Sequence, residues 1–206
     1  MTSLPLPQIC ITCPPPWPQA MMHAGKNLEN RDASVAARLA PFVGQNIGIS
    51  QSKTWIETDA SRIAESLMRS GHIGMCEPEA QDWANTAGKL LLVARLDRIA
   101  KPSEYGRNPW HIAGQHGLVL GKVWQVEPVT CAGGAGAWEP TWCVKCGHVI
   151  ADNACMTDRK TKAAKPCPSC KTPFPMNRMN ERERAKLDAT WPGEKRPQLR
   201  IVRECQ

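Results

Sequence analysis

Two Cys-x-x-Cys turns, Cys143-Val-Lys-Cys146 and Cys167-Pro-Ser-Cys170, stand twenty residues apart and limit what the last third of this chain can be. A structural zinc takes four nitrogen or sulfur ligands at tetrahedral corners, and a two-residue spacer lets two thiolates face one point. Two such turns brought together by a short hairpin close the shell, so the spacing predicts one structural Zn2+ on Cys143, Cys146, Cys167 and Cys170. Gly147 lets the chain turn after the first pair, and Pro166 and Pro168 stiffen the second. Val144, Val149, Ile150 and Phe174 are too few to fold this segment alone, so the metal must supply its folding energy, about 10 kcal/mol or more. A shell of four protein ligands leaves no open position for a catalytic water. His148 and Cys155 are spare donors: either they are a surface residue and a loop thiol, or one replaces a member of the four. Cys10 and Cys13 form a third Cys-x-x-Cys, but they flank a predicted strand that sends their side chains to opposite faces, and no second pair is near.

Ten cysteines fit metal binding in a reducing compartment better than disulfides in a secreted chain. The opening MTSLPLPQIC lacks the basic start and apolar core of a secretion signal, and no run of eighteen apolar residues offers a membrane span, so the expected home is the cytosol. The net charge of +7 is unevenly placed. Residues 1–140 carry twelve basic and twelve acidic side chains, residues 141–175 six and two, and residues 176–206 eight and five. Four thiolates on one zinc would add −2 and leave the chain at +5. A basic end on a neutral body points to a polyanion partner, or to ordinary solvation. Arg159, Lys160 and Lys162, between the two thiol pairs, form a positive loop tip able to hold phosphates or simply to face solvent.

Composition changes near residue 140, which divides the chain into 1–140, 141–175 and 176–206. In the first part, residues 8–12 read as a strand ended by Pro14, Pro15 and Pro16. A helix follows between Pro18 and Gly25. Residues 32–40 predict a second short helix stopped by Pro41, 46–50 a brief strand, and 60–68 a third helix closed by Gly71. Residues 89–99 and 117–127 read as long apolar strands. The glycine-rich loop 131–137 does not fit a nucleotide fingerprint, because no convincing helix follows it. Residues 180–190 predict a short charged helix with acids at its start, and 199–203 either a late strand or a tail.

Residues 9–140 resemble the ASCH domain, a branch of the PUA-like superfamily. The resemblance is carried by "PPPWPQAMMHAGKNLENR", where Pro16, Trp17, Gly25, Lys26, Glu29, Asn30 and Arg31 match. It continues in "VGQNIGISQSK", with Gly44, Ser52 and Lys53 in place, in "LLLVARLDRI", and in the glycine-tryptophan ending of the segment up to Pro140. Pro15 stands where the family often has glutamine, and Ser50 and Gln51 where histidine and alanine are common. The resemblance implies an α+β fold: a PUA-like β-barrel with flanking helices, here followed by a small zinc ribbon and a basic tail. It also implies a cleft beneath the first helix that takes RNA or DNA, in some members around a modified base. Trp17, Lys26, Glu29, Arg31, Ser52 and Lys53 would line or flank it. Those side chains suit the task, since an aromatic ring stacks on a base for about 1–3 kcal/mol and Lys or Arg holds phosphate. The competing reading makes Trp17 core, pairs Glu29 with Arg31, and leaves Lys53 solvated. Trp110, Trp124 and Trp138 read as core.

Three functions follow. The first is nucleic-acid binding, RNA ahead of DNA, with a nucleotide in the cleft and phosphates on the ribbon and tail. The second is a hydrolase acting on an acylated cytidine or on RNA, as the resemblance implies for some members. Lys26 occupies the family's lysine position, but Glu29 replaces the threonine, so only Lys26 and Glu29 are left as catalytic candidates. The third is a protein-binding adaptor that docks through the zinc ribbon.

Overall fold

The computed structural model describes residues 2–53, 85–131, 133–150, 166–172 and 196–205. In chain order these form strand β1 (Ser3–Pro5), β2 (Cys10–Cys13), helix α1 (Trp17–His23), β3 (Leu28–Arg31) and helix α2 (Ala33–Leu39). They continue with β4 (Asn46–Gln51), β5 (Lys89–Ala100), β6 (His116–Thr130), β7 (Ala137–Trp138) and β8 (Gln198–Glu204), with single turns of 3-10 helix at Ala40–Phe42 and Pro102–Glu104. The helices expected over 60–68 and 180–190 lie outside the described residues.

The strands join in one mixed sheet of order β1-β8-β6-β5-β4-β2-β7, and β3 pairs the first half of β6. Among the described residues only β2 and β4 run parallel; each other strand pairing is antiparallel. Register shifts along β5 between Leu90 and Leu92, Ala94 and Leu96, and Leu96 and Arg98 bend the strand. Such irregularities raise local twist, and the sheet curls into a half-barrel.

Alternation along the strands supplies two apolar faces. One gathers Ile11, Ile47, Ile49, Leu92, Leu96 and Leu120, together with Met21 of α1 and Val35 and Leu39 of α2. The other gathers Leu6, Leu90, Val93, Val126, Trp138 and Leu199. Cys13 belongs to the first cluster and Cys10 to the second, so this Cys-x-x-Cys is split across the sheet. Asp32 caps α2, its Oδ1 accepting from the Val35 amide at 2.9 Å, as an N-cap carboxylate should.

Of the two readings left open for residues 199–203, the late strand holds: β8 pairs with β1 and with β6, and Leu199 is buried. Its alternation, with Leu199 and Ile201 among charges, is that of a strand with one wet face. β3 was not foreseen, because Leu-Glu-Asn-Arg looks too polar for a buried strand.

Candidate functional site

The thiol pairs converge as their spacing demands. The Sγ atoms of Cys143, Cys146, Cys167 and Cys170 all lie within 4.8 Å of one another. Sγ of Cys143 is 3.7 Å from that of Cys170, and Sγ of Cys146 is 3.8 Å from that of Cys167. Four sulfurs at about 2.3 Å from one tetrahedral centre would stand about 3.8 Å apart, so the cluster is compatible with a single zinc.

Both turns share one backbone design. In the first, the Gly147 amide donates to the Cys143 carbonyl and the Cys143 amide to the His148 carbonyl, each at 2.8 Å. In the second, the Lys171 amide donates to the Cys167 carbonyl at 2.9 Å and the Cys167 amide to the Thr172 carbonyl at 3.0 Å. The hydroxyl of Thr172 lies 3.3 Å from the Cys170 sulfur and is the chief cause holding that thiol down, to about 6 from an ordinary 9.0. Trp142 bridges to Val149 across the first turn and packs in the second core cluster beside Trp138 and Leu199, which fastens this turn to the sheet. The His148 side chain is exposed and stands outside the cluster. Cys155, Arg159, Lys160 and Lys162 lie outside the described residues.

A second group is assembled by α1 and β3. Lys26 is 1% exposed, and its Nζ meets Oε2 of Glu29 at 2.9 Å and the carbonyl of Leu28. The other carboxylate oxygen of Glu29 is 3.0 Å from Arg31 Nη2, which also donates to the Thr12 carbonyl at 2.8 Å and to the Cys13 sulfur at 3.1 Å. Nζ of Lys26 sits 5.1 Å from the Trp17 ring centre and 6.0 Å from that of Trp110, within reach of a cation–π attraction. Burial pushes the Glu29 carboxyl up, but the charges of Lys26 and Arg31 outweigh it and hold the group below its ordinary 4.5. Burial, and then the Glu29 charge, push the Cys13 thiol up to about 12, so it stays a neutral thiol.

On the far side of β2 opens a cavity of about 540 Å3. Thr12, Gln51, Ser52 and Lys53 form one wall, and Cys131 with the glycines of the following loop forms the other. Thr12 connects the two regions: its carbonyl accepts from Arg31, while its Oγ1 accepts from Trp138 Nε1 at 2.9 Å and lies 3.1 Å from Ser50 Oγ. Behind the wall, Gln19 of α1 donates to Gln51 at 2.7 Å, and Gln51 donates to Thr86 at 2.8 Å. A second cavity, of about 600 Å3, lies between the first thiol turn and the facing ends of β6 and β8, beside Arg196.

Of the residues expected at a cleft, Trp17, Lys26, Glu29 and Arg31 therefore meet in one largely buried cluster. Ser52 and Lys53 line the neighbouring cavity, and Thr12 stands between the groups. Trp110 and Trp138 are buried and Trp124 is half-buried, as core residues would be. Thr12, Gln19, Gln51 and the glycine loop were not anticipated. A hydroxyl at the end of β2 and an amide just before Ser52 were the available signals, but only the parallel pairing of β2 with β4 brings them together. Among the described residues no helix is long and apolar enough to cross a membrane.

The fold and site together define a class: a mixed sheet curled into a half-barrel that carries a four-cysteine cluster. No family profile matches the chain, and no curated protein is significantly similar to it.

Proposed function

We propose that this is an ASCH-like, PUA-related protein that binds nucleic acid, RNA ahead of DNA. It takes a nucleotide in the cavity beside Ser52 and Lys53 and holds one structural Zn2+ on Cys143, Cys146, Cys167 and Cys170. The observation that carries this reading is the cavity itself. It is of ligand size, sits next to two of the residues singled out from sequence, and has one cation and no carboxylate among its described lining residues. Behind it the Lys26–Glu29–Arg31 cluster fixes the end of β2 through the Thr12 carbonyl, so the wall is preorganised. The excess positive charge in the sequence of residues 141–206 supports this reading, since phosphate contacts supply affinity while a pocket supplies selection. The hydrolase reading draws less support, since the Lys26 amine is 1% exposed and already engaged by Glu29 and the Leu28 carbonyl.

The test is fluorescence anisotropy with single-stranded RNA and single-stranded DNA of equal sequence. Binding through about three phosphate contacts weakens roughly twentyfold when salt rises from about 50 to 200 mM. A dissociation constant that ignores salt removes the basic end from the mechanism, and absence of binding to any oligomer at low salt rejects the reading.

A further inference from the structure

The glycine-rich run 131–137 has no helix behind it and so fails the usual sequence test for a phosphate loop. Its place in the fold gives it a different route to the same chemistry. Gly133, Gly134, Ala135 and Gly136 form one wall of the 540 Å3 cavity, and Ser52 and Lys53 face them from the other. Among the described residues, none of the amides of 133–136 is used in a backbone hydrogen bond outside the strands. Short concave runs of free amides bind anions, because each N–H carries partial positive charge.

The steric facts agree. A Cβ on Gly133 would stand 3.2 Å from Thr12 Oγ1, and one on Gly134 would stand 3.0 Å from the Trp138 side chain, so the loop backbone lies close against the cavity floor. Opposite, a Cβ on Gly88 would strike Cε of Lys53 at 2.5 Å. Gly88 thus lets the Lys53 stem lie close against the backbone, and both residues line the cavity. Among the described residues no carboxylate pairs with Lys53. Burial pushes the Cys131 thiol up to about 11, so this residue adds no negative charge to the lining. Thr12 and Ser52 also line this space, which is large enough for one nucleotide.

We infer that the amides of 133–136, Lys53 and Ser52 form a phosphate cradle, and that the cavity's ligand is a nucleoside 5′-monophosphate unit. The inference rests on the nucleic-acid reading and deepens it: the loop and Lys53 grip the phosphate, and the nucleoside lies against the wall that Thr12 and Gln51 form.

The experiment uses the full zinc-loaded chain. Calorimetric titrations compare each of the four nucleoside 5′-monophosphates with its nucleoside, for the parent protein and for Lys53→Ala, Lys53→Arg and Gly133→Val, with single-stranded RNA measured in parallel. At least one monophosphate should bind about tenfold or more tighter than its nucleoside. Lys53→Ala and Gly133→Val should erase that margin, and Lys53→Arg should keep most of it. Equal affinity for nucleotide and nucleoside, or no response to Lys53→Ala while RNA still binds, overturns the cradle and leaves the nucleic-acid reading standing. A Lys53-dependent monophosphate site in a chain that binds no RNA supports the cradle and rejects that reading. Binding of neither overturns both.

Discussion

Nζ of Lys26 lies 2.9 Å from Oε2 of Glu29, with only 1% and 7% of the two side chains open to water. An ion pair withdrawn this far is held by its geometry, since each charge has lost most of its hydration. The pair is unequal, because Glu29 also binds Arg31. Removing the carboxylate takes the counter-charge from both Lys26 and Arg31 and leaves them neutral acceptors only, whereas removing Lys26 leaves Glu29 with a charged partner. Glu29→Gln should therefore cost about 3–5 kcal/mol in urea denaturation, and Lys26→Met distinctly less. Equal costs would show that Arg31 does not share the carboxylate in solution.

The same carboxylate sets an acid limit. Its folded-state value lies below the ordinary 4.5, because Lys26 and Arg31 outweigh the cost of burial. The unfolded chain therefore takes up the proton first as pH falls. The contribution of Glu29 is complete above about pH 4.5 and is lost as pH drops through the folded value. Urea midpoints measured from pH 7 to pH 3 should fall on the acid side for the parent and fall less steeply for Glu29→Gln. Parallel curves would assign the acid limb to other carboxylates.

Glu29 also marks where the sequence stops being legible. The apolar runs of β5 and β6 announce themselves by composition, and the Asp32 cap and Pro41 stop bracket α2. β3 does not, because Leu-Glu-Asn-Arg becomes a buried strand only when Glu29 meets Lys26 and Arg31 reaches the Thr12 carbonyl, a partner on another strand that no local pattern reveals. β1 escapes for a related reason: its pairing with β8 joins residues almost two hundred positions apart, and three residues ending in Pro5 carry no strand signal of their own, so the sequence left 199–203 open between strand and tail. The four-cysteine cluster was legible because it depends on spacing alone. The cavity was half legible: Ser52 and Lys53 stood out, whereas the loop opposite became meaningful only once β2 and β4 ran side by side.

The joining of the chain's two ends should be measurable. Leu199 is 2% exposed and packs with Leu6, Val126 and Trp142. Leu199→Ala should cost about 2–5 kcal/mol, the usual penalty for a cavity in a packed core. An effect under about 0.5 kcal/mol, the range of a surface change, would mean that β8 is only loosely docked.

Metal content should be one zinc per chain by plasma mass spectrometry, lost in Cys143→Ser and in Cys170→Ser. Because Trp142 ties the first thiol turn to the sheet, chelation should also change the near-ultraviolet circular dichroism, while β5 and β6 keep their amide protection against hydrogen exchange. A chain that purifies from zinc-containing medium without metal would reject the site. Collapse of β5 and β6 on chelation would show that the sheet depends on the metal.

The two thiol turns make the same hydrogen bonds but place different residues at the same strained position. Gly147 has φ 74° and Lys171 φ 59°, and both lie in the left-handed region that disfavours a Cβ. The first turn has a residue suited to that backbone; the second carries strain, offset in part by the bond from Lys171 Nζ to the Pro168 carbonyl at 2.8 Å. Since folding of this segment and metal binding are one equilibrium, the difference should appear in zinc affinity. Gly147→Ala should cost about 1 kcal/mol and weaken zinc about fivefold in a competition titration. Lys171→Gly should strengthen it, by less than that factor because the Nζ bond is lost and the unfolded chain gains freedom. If Lys171→Gly weakens zinc instead, the side-chain bond outweighs the backbone strain.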